Sequence, residues 1–300
     1  MPGPQVASIG FFDGVHLGHR CLIGQVTEEA QRRGWPSLLV TFDRHPACVL
    51  RPEAAPALLT TDAERLRLLR GCGVDDVQVL PFTSELSQLT AEAFMRDVLL
   101  GQFGVRCLVV GYDHHFGHGR GEGFADYRRM GRLVGIDVVQ AIPRERSGPD
   151  TPVASSSAIR RALLAGAVEE ATALLGRPYA LRGRVVDGFH VGRQLGYPTA
   201  NIRPDSPEKV VPGAGVYAVE VSRPEGRGGT SLRGMLYIGS RPTFVDDGAQ
   251  SIEVHLFDFH ADIYAEVIEV RFLRYIRPGR TFASAEALRE QLKRDEESCR

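Results

Sequence analysis

Residues 6–19 read Val6-Ala7-Ser8-Ile9-Gly10-Phe11-Phe12-Asp13-Gly14-Val15-His16-Leu17-Gly18-His19. A short apolar run meets a Gly-flanked turn. A segment follows with Leu17, Cys21, Leu22, Val26 and Ala30 near one helical face. A strand therefore hands over to a helix at His16–His19. A helix N-terminus offers unpaired N–H groups and the positive end of a dipole, which suits phosphate. Gly18 would let a nucleotide approach the backbone. Two imidazoles there can donate to ATP phosphates and stabilise charge on departing pyrophosphate. The same string suits histidines that only cap a helix, but the strand–turn–helix setting favours nucleotidyl transfer. Gly10, Phe12 and Asp13 join His16, Gly18 and His19 as candidate nucleotide-binding positions.

The same alternation continues outward. Apolar runs fall at Val6–Phe12, Ser37–Phe42, Val77–Leu80, Cys107–Gly111 and Asp137–Ala141, with helical patterns near 17–33, 62–72, 91–101 and 122–134. Thr61 with Glu64 predicts a capping box. Alternation of this kind predicts an α/β domain built on a parallel sheet with both faces covered. Ligands bind such sheets at the carboxyl ends of the strands, where Asp13, His16, Asp43, His45 and Asp113 fall. After Leu175-Gly176-Arg177-Pro178 the runs become strand-like, near 181–187, 215–222, 233–239, 251–258 and 265–275. Gly and Pro clusters separate them, as in a small antiparallel barrel. Leu288 and Leu292 mark a closing helix, and Arg223–Ser231 a hairpin tip. The expected domains are 1–176 and 177–300.

Composition narrows the class. A length of 300 residues with 43% hydrophobic and 24% charged residues suits two soluble globular domains. A net charge of −1 gives no basic field, so nucleic acid is not an expected partner. No apolar run approaches membrane-spanning length and no signal pattern opens the chain, so no membrane association is expected. The five scattered cysteines form no Cys-x-x-Cys pair and read as reduced thiols in a cytoplasm. Only two of the 36 basic residues are lysines, Lys209 and Lys293. No Gly-Lys-Ser/Thr loop exists, so ATP chemistry here is not of the P-loop kind.

Further polar clusters qualify as sites. Ser155-Ser156-Ser157-Ala158-Ile159-Arg160 places hydroxyls at a helix start with a fixed cation one turn on; an ordinary N-cap fits the same residues. In Gly111-Tyr112-Asp113-His114-His115-Phe116-Gly117, Asp113 could bind a substrate group or order the loop. His114, His115 and His118 lack a plausible metal geometry. In Gly192-Arg193-Gln194-Leu195-Gly196-Tyr197-Pro198-Thr199-Ala200-Asn201, the oxygens of Thr199 and Asn201 suit Mg²⁺ and phosphate, and the glycines let N–H groups reach phosphates. A plain turn before a strand is the alternative. Ile252, Val254 and Leu256 would face one side of their strand, with Glu253, His255 and Phe257 on the other. Glu253 is then either a general base or a solvated residue.

Together these segments resemble the bacterial bifunctional riboflavin kinase/FMN adenylyltransferase (FAD synthetase) family over nearly the whole chain. The resemblance adds Thr41-Phe42-Asp43, His45-Pro46, Gly239 through Phe244, Glu253 through Leu256, and Tyr264. It implies an N-terminal nucleotidyltransferase and a C-terminal riboflavin kinase barrel. The barrel would phosphorylate riboflavin with ATP to FMN and ADP. The first domain would join FMN to AMP from a second ATP, giving FAD and pyrophosphate. His16, His19, Ser156, Ser157 and Arg160 would hold the ATP phosphates. Gly111, Asp113 and Phe116 would line the flavin cleft. Gly192, Arg193, Thr199 and Asn201 would bind the Mg²⁺–nucleotide, and Glu253 would take the ribityl 5′-hydroxyl proton. The chain carries Phe11 where the family has Asn, Arg44 for Pro, His114-His115 for Phe-Arg, Ser157 for Thr and Ala265 for Gly. The oligomeric state is not fixed by the sequence.

Overall fold

The computed structural model describes residues 3–112, 116–118, 121–143, 153–187, 196–223, 231–240 and 250–300. Asp113, His114, His115, Gly192 and Arg193 lie outside them, as do the proposed hairpin tip over 224–230 and the motif residues after Ser240. The chain divides into two compact units, Met1–Ser156 and Ser157–Arg300.

The first unit is a five-stranded sheet in the order β3-β2-β1-β4-β5. Its strands are β1 (Gln5–Ile9), β2 (Ser37–Phe42), β3 (Asp76–Leu80), β4 (Val105–Val110) and β5 (Asp137–Gln140), and every pairing is parallel. Burial on both faces explains the continuous apolar runs. Ala7, Ile9, Leu38 and Val40 pack with Met95, Leu99 and Tyr127, whereas Val6, Cys107 and Val109 pack with Val26 and Ala30 of α1 (Leu17–Arg33). The chain runs β1 to β3 toward one edge and β4 to β5 toward the other. The order therefore reverses between β1 and β4, and a crevice opens there at the carboxyl ends. The turn after β1 and Gly111 after β4 stand at that point.

The helix Asp62–Arg70 opens with the expected capping box: Thr61 Oγ1 accepts the Glu64 N–H, and Glu64 accepts the Thr61 N–H. The helix expected over 91–101 forms, opening with α-type residues at Ala91–Ala93 and continuing in π-type turns over Phe94–Leu100. The Gly101 N–H reaches the Arg96 carbonyl five residues back at 3.0 Å.

The second unit contains a closed antiparallel barrel, β10-β7-β6-β11-β8-β9. The strands are β6 (Tyr179–Val186), β7 (Ala200–Pro204), β8 (Gly215–Ser222), β9 (Leu232–Ser240), β10 (Gln250–Leu256) and β11 (Val267–Arg277). β7 is absent from the expected runs: it is short, and polar Asn201 and Arg203 interrupt its apolar residues. Two helices precede the barrel. Val168–Leu175 packs on β6 and β11, and Glu169 Oε1 accepts the Tyr275 N–H at 3.2 Å. The geometric division thus falls before these helices, whereas the sequence periodicity changes after them.

The closing helix is Ala285–Cys299, and its buried residues are Gln291, Asp295 and Cys299. Asp295 accepts Arg277 Nε at 2.9 Å and Gln291 Nε2 at 2.7 Å. A buried charge needs such partners. This helix also covers part of the barrel's outer face. Phe257 lies on the outer side of β10, yet it is buried with Met235, Ala218 and Cys299 rather than exposed. Lys209 is buried with its ammonium 5.4 Å from the Tyr179 ring centroid, and Lys293 is exposed.

Candidate active sites

The turn after β1 holds an unusual backbone. Phe12, Gly14 and Val15 have φ of 57°, 78° and 41°. Left-handed φ is costly for bulky residues and persists where surroundings enforce it. Here Phe12 and Val15 are anchored in the core beside Ile23 and Leu39. The Asp13 carboxylate, 3% exposed, accepts the Leu59 N–H at 3.0 Å and the Thr60 N–H at 3.1 Å. Thr60 Oγ1 in turn accepts the Gly14 N–H at 3.1 Å. Asp13 therefore orders the turn with its carboxylate, and the Phe12 side chain is a core residue.

The turn delivers His16 to the N-cap of α1, where its Nδ1 accepts the His19 N–H at 3.3 Å. The two imidazoles stack with centroids 3.6 Å apart, and Phe12 meets His19 edge-on at 5.3 Å. Ser156, at the start of the helix Ser156–Leu164, donates from Oγ to the Asp13 carbonyl at 3.0 Å. The structure thus brings Ser156 to the histidine turn. Ser157 is exposed, and Arg160 follows Ser156 by one helical turn. A Cβ on Gly18 would sit 3.1 Å from the Ala154 carbonyl oxygen, so this glycine makes room for the protein's own chain. A Cβ on Gly10 would meet the Phe12 ring at 3.1 Å.

Beside the turn lies an apolar cleft of about 720 Å³, counted out to its open mouth. Gly10, Phe11, Phe42, Phe82, Leu86 and Phe116 are among its lining residues. Phe116 stacks on Tyr127 at 4.3 Å, and Tyr127 Oη accepts the Phe116 N–H at 2.9 Å. Gly111, where β4 ends, is not part of the lining. Phe11 meets His45 edge-on at 4.9 Å and lies 4.0 Å from the guanidinium of Arg65. Arg65 is fully buried; desolvation lowers its pKa, while it donates to the Phe42 carbonyl at 2.7 Å and pairs with Asp62 at 2.9 Å. Burial alone would raise the Asp43 pKa, but the Phe82 N–H and the Arg44 guanidinium outweigh it and hold the carboxyl low. Sequence reasoning missed Phe82 and Leu86, because nothing local separates a cleft-lining residue from a core one.

The second site lies on the outside of the barrel. Ile252, Val254 and Leu256 point inward and are buried, as expected. On the outer side, Glu253 faces Asn201 of β7 in the register. The Glu253 carboxylate accepts Ser251 Oγ at 2.8 Å and Thr199 Oγ1 at 3.2 Å. Thr199, Asn201 and Glu253 are thus one cluster of hard oxygen donors. His255 donates from Nδ1 to the Pro198 carbonyl at 2.7 Å, and its ring lies 5.1 Å from Tyr197. The residue before Thr199 is therefore pinned to β10. Ala265 has φ of 61°, a conformation glycine adopts freely.

Residues 1–156 match the family model described as FAD synthetase, and residues 175–300 the model described as riboflavin kinase. The bifunctional riboflavin kinase/FMN adenylyltransferase of Escherichia coli K12 is 40% identical over 98% of this chain and 91% of its own length. The protein of that name from Listeria monocytogenes is 38% identical over 99% of this chain and 91% of its own. A solved structure described as a macrolide-efflux protein from Streptococcus pneumoniae superposes with a TM-score of 0.86 at 33% identity, covering 100% of this chain and 94% of that one. Among the described residues, no helix here is long and apolar enough to cross a membrane. The chain belongs to the bifunctional riboflavin kinase/FMN adenylyltransferase family.

Proposed function

We propose that two separate ATP sites in this chain carry the two reactions of its family, with the residues assigned as follows. The enzyme phosphorylates riboflavin to FMN and adenylylates FMN to FAD. The observation that carries the assignment is the pair of polar constellations, the stacked His16–His19 at a helix start and the Thr199–Glu253 cluster on the barrel.

In adenylyl transfer a phosphate oxygen of FMN attacks the α-phosphorus of ATP and the bond to pyrophosphate breaks. His16, His19 and the N-terminal amides of α1 donate to the phosphates as charge moves onto the leaving group. Ser156, Ser157 and Arg160 add donors and a fixed cation. The apolar cleft takes the flavin ring, with Phe116 in its lining; Gly111, which follows β4, and Asp113 are assigned to the flavin from the family resemblance. This reaction belongs to residues 1–176, because Arg160 serves it; phosphorylation belongs to 177–300.

In the kinase the ribityl 5′-oxygen attacks the γ-phosphorus, its proton passes to Glu253, and ADP leaves. Gly192 and Arg193 join Thr199 and Asn201 in holding the nucleotide. Both reactions use ATP, generally with a divalent metal. The metal is assigned as Mg²⁺: hydroxyl, amide and carboxylate oxygens suit a hard cation carried on phosphates. When bound, it neutralises phosphate charge. The free state of all five cysteines supports a cytoplasmic enzyme, and a net charge of −1 supports one without nucleic-acid partners.

The test is to incubate the protein with riboflavin, ATP and magnesium chloride and separate the flavins by chromatography. FMN followed by FAD is expected. FMN alone would make the first unit a scaffold, and neither product would leave a flavin-binding protein without turnover.

A further inference from the structure

Glu253 has a second cross-strand neighbour. On β7 it faces Asn201; on β9 it faces Tyr237. Directly paired residues share a face, so Asn201, Glu253 and Tyr237 form a row across three strands on the outside of the barrel, each about 4.8 Å from the next.

The row has a direction. The oxygen donors assigned to nucleotide and metal, Thr199 and Asn201, stand on the β7 side. In phosphoryl transfer the attacking and leaving oxygens lie on opposite sides of the phosphorus. With the nucleotide over β7 and the base at the centre, the acceptor alcohol enters from β9. The side chain waiting there is aromatic and 39% exposed.

The chain makes room for this ring in two places. A Cβ on Gly239 would fall 2.1 Å from the Tyr237 hydroxyl oxygen, and one on Gly279 would fall 3.3 Å from it. Neither glycine has a left-handed φ, so each supplies space rather than backbone freedom. Tyr237 therefore lies down along its strand over Gly239. Gly239 faces Ser251, whose hydroxyl binds Glu253.

We propose that Tyr237 is a riboflavin-binding residue of the kinase, its ring stacking on the isoalloxazine while the ribityl 5′-hydroxyl reaches Glu253. The inference rests on the assignment of Glu253 as base, and its test is chosen to be independent of that assignment. Riboflavin binding to the full-length protein is read without ATP, by quenching of flavin fluorescence. Tyr237→Leu removes the ring. Gly239→Ala leaves it in place chemically but pushes it off its bed. Both should raise the riboflavin Kd about two- to tenfold, the range of an aromatic stack, and raise the riboflavin KM alike. The KM for ATP should stay within about twofold, and Tyr237→Phe should bind as the parent does. Circular dichroism confirms that each variant is folded. Parent-like riboflavin binding by folded Tyr237→Leu, or a raised KM for ATP in its place, would overturn the proposal. Glu253→Gln separates the two readings: it should bind riboflavin normally and lose turnover. If it keeps its turnover, the base assignment fails whatever Tyr237 does.

Discussion

Replacing Glu253 by Gln separates chemistry from architecture in the kinase. The carboxylate accepts hydrogen bonds from Ser251 Oγ at 2.8 Å and Thr199 Oγ1 at 3.2 Å. Gln keeps one acceptor oxygen, and its amide can donate to the other hydroxyl, since hydroxyl oxygens also accept. What is lost structurally is the charge assistance of these bonds, about 1 kcal/mol. That amounts to a shift of a few degrees in the unfolding midpoint, on the order of 2–8 °C. What is lost chemically is the group proposed as proton acceptor for the ribityl hydroxyl. General-base removal costs about 10²–10⁴ in rate, or roughly 3–5 kcal/mol of barrier. The chemical effect therefore exceeds the structural one severalfold. Initial rates of FMN formation from riboflavin, and of FAD formation from supplied FMN, should be measured on one preparation with a thermal melt alongside. The expected result is a kinase slowed at least about a hundredfold, an unchanged adenylyltransferase and a small shift in the melt. Riboflavin phosphorylation surviving at tens of per cent would make Glu253 a strand residue that merely holds Ser251 and Thr199.

His16→Ala should lower FAD formation about 10²–10³-fold and also destabilise α1 by about 1 kcal/mol, because the side chain proposed to donate to phosphate also caps the helix. His16→Asn should restore the cap and not the activity; recovery of FAD formation would show that His16 only caps. A fragment starting at Ser157 should resist urea better than one starting at Arg177. The shorter piece bares the surface that buries Val168, Leu174 and Leu175, each contributing about 1.5–3 kcal/mol against a domain total of about 5–15. Equal urea midpoints would mean that these helices are not part of the barrel's fold. Hydrogen bonding from Arg32, and then from Arg33, holds the Glu29 carboxyl at about 2 against the opposing effect of burial. Because its folded pKa lies below the ordinary 4.5, its stabilisation is complete above that pH and fades as pH falls through about 2. Glu29→Gln should therefore cost stability at neutral pH, with the gap to the parent closing in strong acid; a gap that does not change with pH would exclude the ion pairs as its source.

Elements with strong local signals were legible from the sequence. β2 spans Ser37–Phe42 and α1 spans 17–33, as their periodicities predict, and the Thr61–Glu64 box forms. Features that depend on distant partners were not. Val168, Ala171, Leu174 and Leu175 carry a helical spacing, but nothing local says that this helix belongs with the barrel. The alternation of β10 separates Glu253 and Phe257 from the inward residues, but it does not reveal that the closing helix buries Phe257 on that outer face. Two polar residues of that helix are inward for a related reason: Asp295 pairs with Arg277 at the end of β11 and Gln291 bonds Asp295, and no helical pattern contains the partner on β11. The strand–turn–helix setting of His16 and His19 was legible from the glycines and histidines. The role of Asp13 in tying down Leu59 and Thr60 requires a contact 46 residues away.

The distribution of lysine has a consequence for chemical modification. Both lysines lie in the second unit, and Lys209 is buried. Amine-directed reagents and lysine-modifying enzymes therefore find one exposed side chain, Lys293 on the closing helix. A fluorophore coupled there would report on the barrel from a single known position. The first unit offers the same reagents no side-chain amine. Its permanent cations are all guanidinium groups, which acetylation does not reach and which no pH below about 12 discharges.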